Sequence, residues 1–173
     1  MNTLEKFSLV KAFVFDVDGV LTDGTVTLIN HGIQARKMNI KDGLALQMAI
    51  KNGFPVKVIS GADSLEVYER LYNLGIKEVE IGVKDKVAAV EGFLKKHKLT
   101  YADLLFMGDD LPDLELLKLV GLPCCPADAV QEVKEAAVYH SPLAGGQACV
   151  REVIEKVLKL QDKWIWTKEV SSR

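Results

Sequence analysis

The chain has 173 residues, a hydrophobic content of 49% and a formal net charge of −2. This length suits one domain with a sizeable core, and the apolar content argues against intrinsic disorder. The nearly balanced charge contains no long basic run, which argues against nucleic acid or an anionic membrane as a partner.

Nothing in the chain predicts export or membrane insertion. No apolar stretch is long enough to span a bilayer, and residues 1–8 lack the apolar centre of a signal peptide. There are three cysteines, and two of them, Cys124 and Cys125, are adjacent, which makes a poor disulfide framework. We therefore expect a reduced, cytoplasmic protein.

Strand-like and helix-like segments alternate along the chain. The pattern predicts, in order, a strand at 10–16, a hairpin of 25–29 with 33–38, a helix capped by Asp42 and running to about Asn52, a strand at 56–60, a helix at 64–74, a short strand at 79–82, a helix capped by Asp85, a strand at 104–107, a helix at 111–120, a strand at 122–125, a helix at 129–136, a strand at 138–140 and a helix at 148–160.

This alternation predicts an α/β protein with a three-layer, Rossmann-like parallel sheet and helices on both faces. The chain contains no internal repeat and no Pro/Ser-rich linker, so we expect residues 1–173 to form a single domain. The segments 24–55 and 61–85 are too short to hold a second domain beside the predicted hairpin, helices and strand.

The most informative segment is 16–23, Asp-Val-Asp-Gly-Val-Leu-Thr-Asp, which directly follows the first strand. Its carboxylates, Asp16, Asp18 and Asp23, would repel one another if all were ionised without a counter-charge. Mg²⁺ is an oxygen-seeking cation that one or two carboxylates can hold. Gly19 lets the backbone turn sharply away from the strand.

Polar side chains also follow the other predicted core strands. Ser60 and Gly61 follow one strand, Lys86 begins the helix after another, and Asp109, Asp110 and Asp113 follow a third. In parallel α/β folds ligands bind at the carboxyl ends of the strands, so we expect these groups to converge. Carboxylates, a hydroxyl and a cation around one point favour phosphoryl transfer.

The chemistry suggests a role for each group. Asp16 is the candidate nucleophile, and Asp18 would protonate the leaving oxygen and later activate water. Mg²⁺ would contact Asp16, the backbone carbonyl of Asp18 and Asp109, with Asp110 and Asp113 further from the ion. Ser60, Gly61 and Lys86 would bind the phosphoryl oxygens. Each residue alone has an ordinary explanation as a cap or a turn, but their joint placement favours catalysis.

These four motifs resemble those of the haloacid dehalogenase superfamily, and the chain is most similar to its small 3-deoxy-D-manno-octulosonate 8-phosphate (KDO 8-phosphate) phosphatases. The segments 38–43, 145–146 and 150–153 also resemble that family. The resemblance implies a Mg²⁺-dependent phosphatase of 2-keto-3-deoxy sugar acid phosphates that acts in lipopolysaccharide biosynthesis. It further implies substrate contacts at Thr22, Asn39, Asp42, Gly43, Gly145, Gly146 and Arg151.

Two departures concern the substrate. The family often has arginine where this chain has Ala62 and Gln147. Related enzymes act on nine-carbon acids, so a 9-phosphate of KDN or of an N-acylneuraminate remains an alternative substrate.

Larger enzymes of the superfamily insert a cap domain after the first or second motif, and segments 24–55 and 61–85 have no room for one, so we expect no cap domain. The resemblance also implies a homotetramer in which neighbouring subunits cover each uncapped site. We expect the hairpin, about 24–38, to build the subunit interface, since a two-stranded unit is marginal without further packing. The tail, about 161–173, carries Trp164 and Trp166 and either reaches a neighbour's site or packs on its own subunit.

Two non-enzyme alternatives remain at this stage. A phosphate-accepting receiver domain also gathers aspartates, a hydroxyl and a lysine around Mg²⁺, but its acidic pair lies at the first strand and its acceptor aspartate mid-chain. Here the Asp-Asp pair comes late, at Asp109 and Asp110. A catalytically silent scaffold of the same fold is disfavoured because Asp16, Asp18, Lys86 and Asp109 are all present.

Overall fold

A parallel β-sheet forms the centre of the protein in a computed structural model, which describes residues 2–166, 168 and 170. In chain order the elements are α1 (Thr3–Leu9), β1 (Ala12–Phe15), β2 (Thr27–Leu28), β3 (Gln34–Ala35), α2 (Ile40–Lys51), β4 (Val56–Ile59), α3 (Leu65–Asn73), β5 (Glu78–Glu80), α4 (Lys86–His97), β6 (Leu104–Met107), α5 (Leu114–Leu117), β7 (Leu122–Cys125), α6 (Gln131–Ala136), β8 (Tyr139–His140) and α7 (Cys149–Leu160).

Six of the strands form one sheet in the order β5-β4-β1-β6-β7-β8, and neighbouring strands are parallel. The first strand lies in the middle, where Phe13 pairs with Val56 on one side and Leu105 on the other. The residues that follow β1, β4 and β6 therefore meet at one edge of the sheet. The predicted parallel sheet is confirmed.

The sheet is covered on both faces. Phe13 and Phe15 point into a core shared with α1, α2, α3 and α7, whereas Ala12 and Val14 point into a second core shared with α4, α5 and α6. Alternate residues of a strand face opposite sides, so the continuous apolar run of β1 serves both cores. The predicted three-layer arrangement is confirmed.

The predicted hairpin is an insertion between β1 and α2. Its strands β2 and β3 are antiparallel and short, and a turn of 3₁₀-helix at Asn30–Gly32 joins them. Leu28 is 76% exposed and Ile33 is 50% exposed. Between β1 and β5 the described residues form only this hairpin, helices and core strands, which agrees with the expected absence of a cap domain.

Several helix boundaries differ from the prediction. The cap of α2 is Asn39, whose side chain accepts from the Lys41 N–H, so the prediction of Asp42 as the cap was wrong. The predicted helix 111–120 begins as a 3₁₀ turn containing Pro112 and becomes the short α5. Helix α1 was not predicted, although Asn2 and Glu5 form a capping box.

The helices described by the structure also bear on membrane insertion. Within residues 2–166, 168 and 170, none is long and apolar enough to cross a bilayer.

Candidate active site

The loop after β1 carries the two candidate catalytic aspartates. Asp16 is 6% exposed, and it is followed by a tight turn at Val17–Leu21, in which Asp18 and Gly19 have non-helical backbone angles. Gly19 has a φ of +83°, and a Cβ atom there would lie 1.9 Å from Oδ2 of Asp109. Thr22 closes the loop, because its Oγ1 accepts from the N–H groups of Gly19 and Gly24, each at 3.2 Å. This tight turn lets the β6 loop approach the β1 loop.

Lys86 joins carboxylates from two different loops. Its Nζ donates to Oδ1 of Asp16 at 2.7 Å and to Oδ1 of Asp113 at 2.6 Å. The other oxygen of Asp113 accepts from the backbone N–H of Asp109 at 2.9 Å and of Asp110 at 3.3 Å. Asp113 therefore links the lysine to the loop that carries Asp109.

Three carboxylates gather at one point. One oxygen from each of Asp16, Asp109 and Asp113 lies within 4.8 Å of the others, which is close enough to hold one metal ion. Asp110 is exposed and caps the N–H of Leu111 instead. Asp113, which was predicted to lie as far from the ion as Asp110, thus supplies one of the three oxygens, together with the expected Asp16 and Asp109.

The electrostatics of the cluster favour a cation. Burial and the negative charge of Asp113 raise the pKa of Asp16 to about 7, although the positive charge of Lys86 acts in the opposite direction. Burial and the charges of Asp16 and Asp113 raise the pKa of Asp109 to about 8. Burial lowers the pKa of Lys86, but Asp16 and Asp113 outweigh it and raise that pKa above its usual value. A divalent cation would stabilise the ionised carboxylates.

The predicted catalytic, metal and phosphate-binding residues line a single cleft of about 490 Å³. They are Asp16, Asp18, Ser60, Gly61, Lys86, Asp109, Asp110 and Asp113. Ser60 is 3% exposed, and its Oγ accepts from the Ala62 N–H at 3.1 Å. Lys84, a lining cation that sequence reasoning missed, adds positive charge to this cleft.

Comparison with known proteins shows the family of this chain. A model of haloacid dehalogenase-like hydrolases matches residues 72–145. The 3-deoxy-D-manno-octulosonate 8-phosphate phosphatase KdsC of Escherichia coli (strain K12) is 32% identical over 162 residues, which cover 94% of this chain and 86% of that protein. The chain belongs to the haloacid dehalogenase-like hydrolases.

Solved structures agree with this assignment. The phosphatase of the same description from Moraxella catarrhalis, solved with a magnesium ion, a phosphate ion and KDO, has a TM-score of 0.89 and 31% identity, and the match covers 94% of this chain and 93% of that one. The cobalt-bound phosphatase from Haemophilus influenzae has a TM-score of 0.86 and 32% identity, and the match covers 91% of this chain and 92% of that one. The hydrolase is a phosphoric monoester hydrolase, and its acidic cluster fits a metal site.

The residues expected to contact the substrate lie behind the β1 loop of the hydrolase. Asn39 Nδ2 donates to the carbonyl of Gly146 at 3.1 Å, and the Gly146 N–H donates to the carbonyl of Val20 at 3.0 Å. A Cβ atom on Gly145 would lie 2.0 Å from the carbonyl oxygen of Gly19, so this contact requires glycine. These contacts hold the β1 loop on the side away from the cleft.

Asp42, in the first turn of α2, caps a different helix. It is 1% exposed, and its Oδ1 accepts from the Arg151 N–H at 2.7 Å, in the first turn of α7. Burial raises the pKa of Asp42 to about 7. Gly43 is buried beside it, and the Arg151 side chain pairs with Glu155.

The cleft of the single chain therefore excludes the seven residues expected to contact the substrate. They are Thr22, Asn39, Asp42, Gly43, Gly145, Gly146 and Arg151, and none belongs to its described lining. Substrate contact by these residues stays a prediction.

The tail of the hydrolase is described only in part. Trp164 packs against the core of its own chain, and the Arg151 guanidinium lies 5.5 Å from its ring centre. Trp166 is 60% exposed, and Val170 is buried against the same core. The described tail therefore packs partly on its own subunit, and residues 167, 169 and 171–173 lie outside the described part.

Sequence reasoning also missed Arg36, at the end of the hairpin. Its Nε donates to Oδ1 of Asp18 at 2.7 Å. The sequence separation of the two residues gave no signal for this contact, because it depends on how the hairpin folds back over the β1 loop.

Proposed function

We propose that this hydrolase removes phosphate from KDO 8-phosphate, giving KDO and inorganic phosphate, with Mg²⁺ and through an aspartyl-phosphate intermediate. The observation that carries the proposal is the junction of Lys86 with Asp16 and Asp113, beside Asp109, in one cleft. The similarity to KDO 8-phosphate phosphatases over 94% of the chain supports the choice of substrate.

The first half of the reaction transfers phosphorus to the protein. A carboxylate oxygen of Asp16 attacks phosphorus while the bond to the ester oxygen breaks. Asp18 gives its proton to that departing oxygen, so the sugar acid leaves as an alcohol. Lys86 and the Ser60 hydroxyl bind the non-bridging oxygens and balance their charge.

The second half regenerates the aspartate. Asp18, now ionised, takes a proton from a water molecule whose oxygen attacks the phosphorus of the aspartyl phosphate. The Asp16–phosphorus bond breaks, phosphate leaves, and Asp18 is again protonated. Asp16, Asp109 and Asp113, with the backbone carbonyl of Asp18, would hold Mg²⁺, which supplies positive charge against the phosphoryl oxygens.

A nine-carbon substrate is the second candidate. Ala62 lines the cleft where the family often has arginine, and Gln147 replaces another such arginine. The loss of two cations changes how a sugar acid is bound, and this favours testing the 9-phosphates of KDN and of N-acylneuraminate.

We further propose a cytoplasmic homotetramer with shared sites. The exposed apolar residues of the hairpin support an interface there, because Val26, Leu28, Ile29 and Ile33 are each at least 44% exposed. The three cysteines are free and buried, as suits a reducing compartment.

The test is phosphate release from a panel of esters, with Mg²⁺ and with EDTA. The panel contains the 8-phosphate of KDO, the two 9-phosphates and ordinary hexose phosphates. We expect the highest kcat/KM for KDO 8-phosphate and no turnover in EDTA. A higher kcat/KM for a 9-phosphate would move the assignment to nine-carbon acids, and a higher value for hexose phosphates would overturn the sugar-acid proposal.

A further inference from the structure

An arginine holds the proposed acid/base residue. The Arg36 Nε donates to Asp18 Oδ1 at 2.7 Å, and Nη2 lies 3.4 Å from Asp18 Oδ2. The third nitrogen, Nη1, donates to the carbonyl of Gln34 at 3.2 Å and ties the guanidinium to its own strand. The Arg36 side chain is 8% exposed, so its planar fork has little freedom to reorient.

This contact separates two sets of acidic groups. Asp16, Asp109 and Asp113 face one another around Lys86, whereas Asp18, only two residues from Asp16, is paired with Arg36. A cation at the three-aspartate cluster would attract a fourth free carboxylate at such a short distance. Arg36 counters this attraction by binding Asp18 from the hairpin side.

The two contacts differ in length, and this distinguishes the two oxygens of Asp18. Oδ1 makes a short, charge-assisted hydrogen bond, whereas Oδ2 is only at the limit of one. The oxygen that is held fixes the direction of the carboxyl group. Oδ2, whose contact with Arg36 is the longer of the two, would then be the oxygen that exchanges a proton with the ester oxygen or with water.

We propose that Arg36 is a positioning residue for Asp18, fixing Oδ1 so that Oδ2 faces the departing oxygen. The proposal rests on the proposed role of Asp18 as acid and base. It assigns the hairpin a second function, because Arg36, the residue that follows β3, thereby sets the geometry of the proton donor.

The test is the dependence of kcat on the leaving group. An aryl phosphate such as p-nitrophenyl phosphate releases a stable anion and needs little proton donation, whereas an alkyl phosphate releases a strongly basic alkoxide. In the Arg36→Gln variant, kcat for an alkyl phosphate should fall roughly tenfold or more, which is part of the 10²–10⁴-fold that a general acid contributes. On p-nitrophenyl phosphate it should change by less than about threefold, since that step needs little acid.

Three further variants make the result specific. Lys37→Gln removes an exposed cation from the neighbouring position of the hairpin and should match the wild type on both esters. Arg36→Lys keeps the charge without the fork and should fall between wild type and Arg36→Gln; it replaces Arg36→Gln if that variant does not fold. Asp18→Asn should show the largest leaving-group dependence.

The outcomes separate the two proposals. If kcat of Arg36→Gln falls by the same factor for both esters, or does not fall at all, the positioning role of Arg36 is overturned while the role of Asp18 stands. If Asp18→Asn shows no leaving-group dependence, the proposed acid itself is wrong. A circular dichroism melt of each variant confirms that it is folded at the assay temperature.

Discussion

Lys86 donates to Oδ1 of Asp16 across 2.7 Å, although 70 positions separate the two residues in the chain. The contact is buried, and the same Nζ also binds Asp113. A lysine shared by two carboxylates keeps the cluster from being wholly anionic without a metal ion. It would also leave a cation beside Asp16, the proposed nucleophile, when a phosphoryl group arrives.

The close approach of Gly19 to Asp109 predicts a selective effect of one methyl group. Gly19→Ala would place a Cβ 1.9 Å from Oδ2 of Asp109, in addition to the strain of its φ of +83°. Gly53→Ala is the matched control, because Gly53 has a φ of +79° and no atom within 4 Å of its Cβ position. In both variants the free energy of unfolding should fall by roughly 1–2 kcal/mol, because alanine is strained in the left-handed conformation.

Only Gly19→Ala should also lose Mg²⁺ affinity, because only there must Asp109 move. Isothermal titration with Mg²⁺ and thermal melts of both variants check this. Equal Mg²⁺ affinity in the two variants would show that Asp109 does not bind the ion.

The metal ligands can be tested by removing single oxygens. Asp109→Asn should weaken Mg²⁺ binding and abolish turnover, whereas Asp110→Asn should leave Mg²⁺ affinity nearly unchanged, since Asp110 is exposed and caps Leu111. Ca²⁺ should replace Mg²⁺ poorly because it prefers more ligands at longer distances. Titration calorimetry gives the affinities, and tight Mg²⁺ binding by Asp109→Asn would refute the assignment.

The buried carboxylates predict how stability depends on pH in the metal-free protein. The pKa values of Asp16 and Asp42 are raised to about 7 and that of Asp109 to about 8, all above the usual 3.8. Between about pH 4 and pH 8 the folded state therefore binds more protons than the unfolded state, and the free energy of unfolding falls as pH rises. Below about pH 4 these three groups add no further pH dependence.

Asp42→Asn isolates one of these contributions. With Mg²⁺ present, the proposed ligands Asp16 and Asp109 would be held ionised. The remaining decline toward pH 8 should then come largely from Asp42 and should shrink in Asp42→Asn. Urea unfolding at pH 5 and pH 8 measures it. A variant whose pH dependence equals that of the wild type would show that Asp42 is ionised at both pH values.

Much of this site is readable from the order of strands and polar residues. Asp16, Ser60, Lys86 and Asp109 each follow or precede a core element, and a parallel sheet must bring such positions together. The pairing of Arg36 with Asp18 is not readable in this way, since it depends on how the hairpin folds over the loop.

Sequence reasoning missed the starts of two helices, for different reasons. Asp42 is a good cap residue, but Asn39 begins the helix, and Asp42 is buried where it serves α7 instead. The capping box of Asn2 and Glu5 was a readable signal for α1 that sequence reasoning overlooked.

The exposed hairpin predicts the assembly. Leu28→Lys should convert a tetramer into smaller species, because a charge would be buried at the proposed interface, and activity on the sugar-acid phosphate should fall with it. Leu119→Lys, which changes an exposed leucine just after α5, is the control and should leave the assembly intact. Sedimentation velocity measures both, and a wild-type monomer would eliminate shared sites.

The central claim is that Asp16 carries the phosphoryl group, and acid-quench trapping tests it most directly. The Mg²⁺-loaded protein is mixed with KDO 8-phosphate, quenched with acid within a turnover and digested with pepsin at acid pH, where an acyl phosphate survives. The peptide that contains residue 16 is then sequenced by mass spectrometry. The account predicts a phosphate on Asp16 that is absent in Asp16→Asn, which should be folded and inactive. Phosphate on another residue, or full turnover by Asp16→Asn, would contradict it.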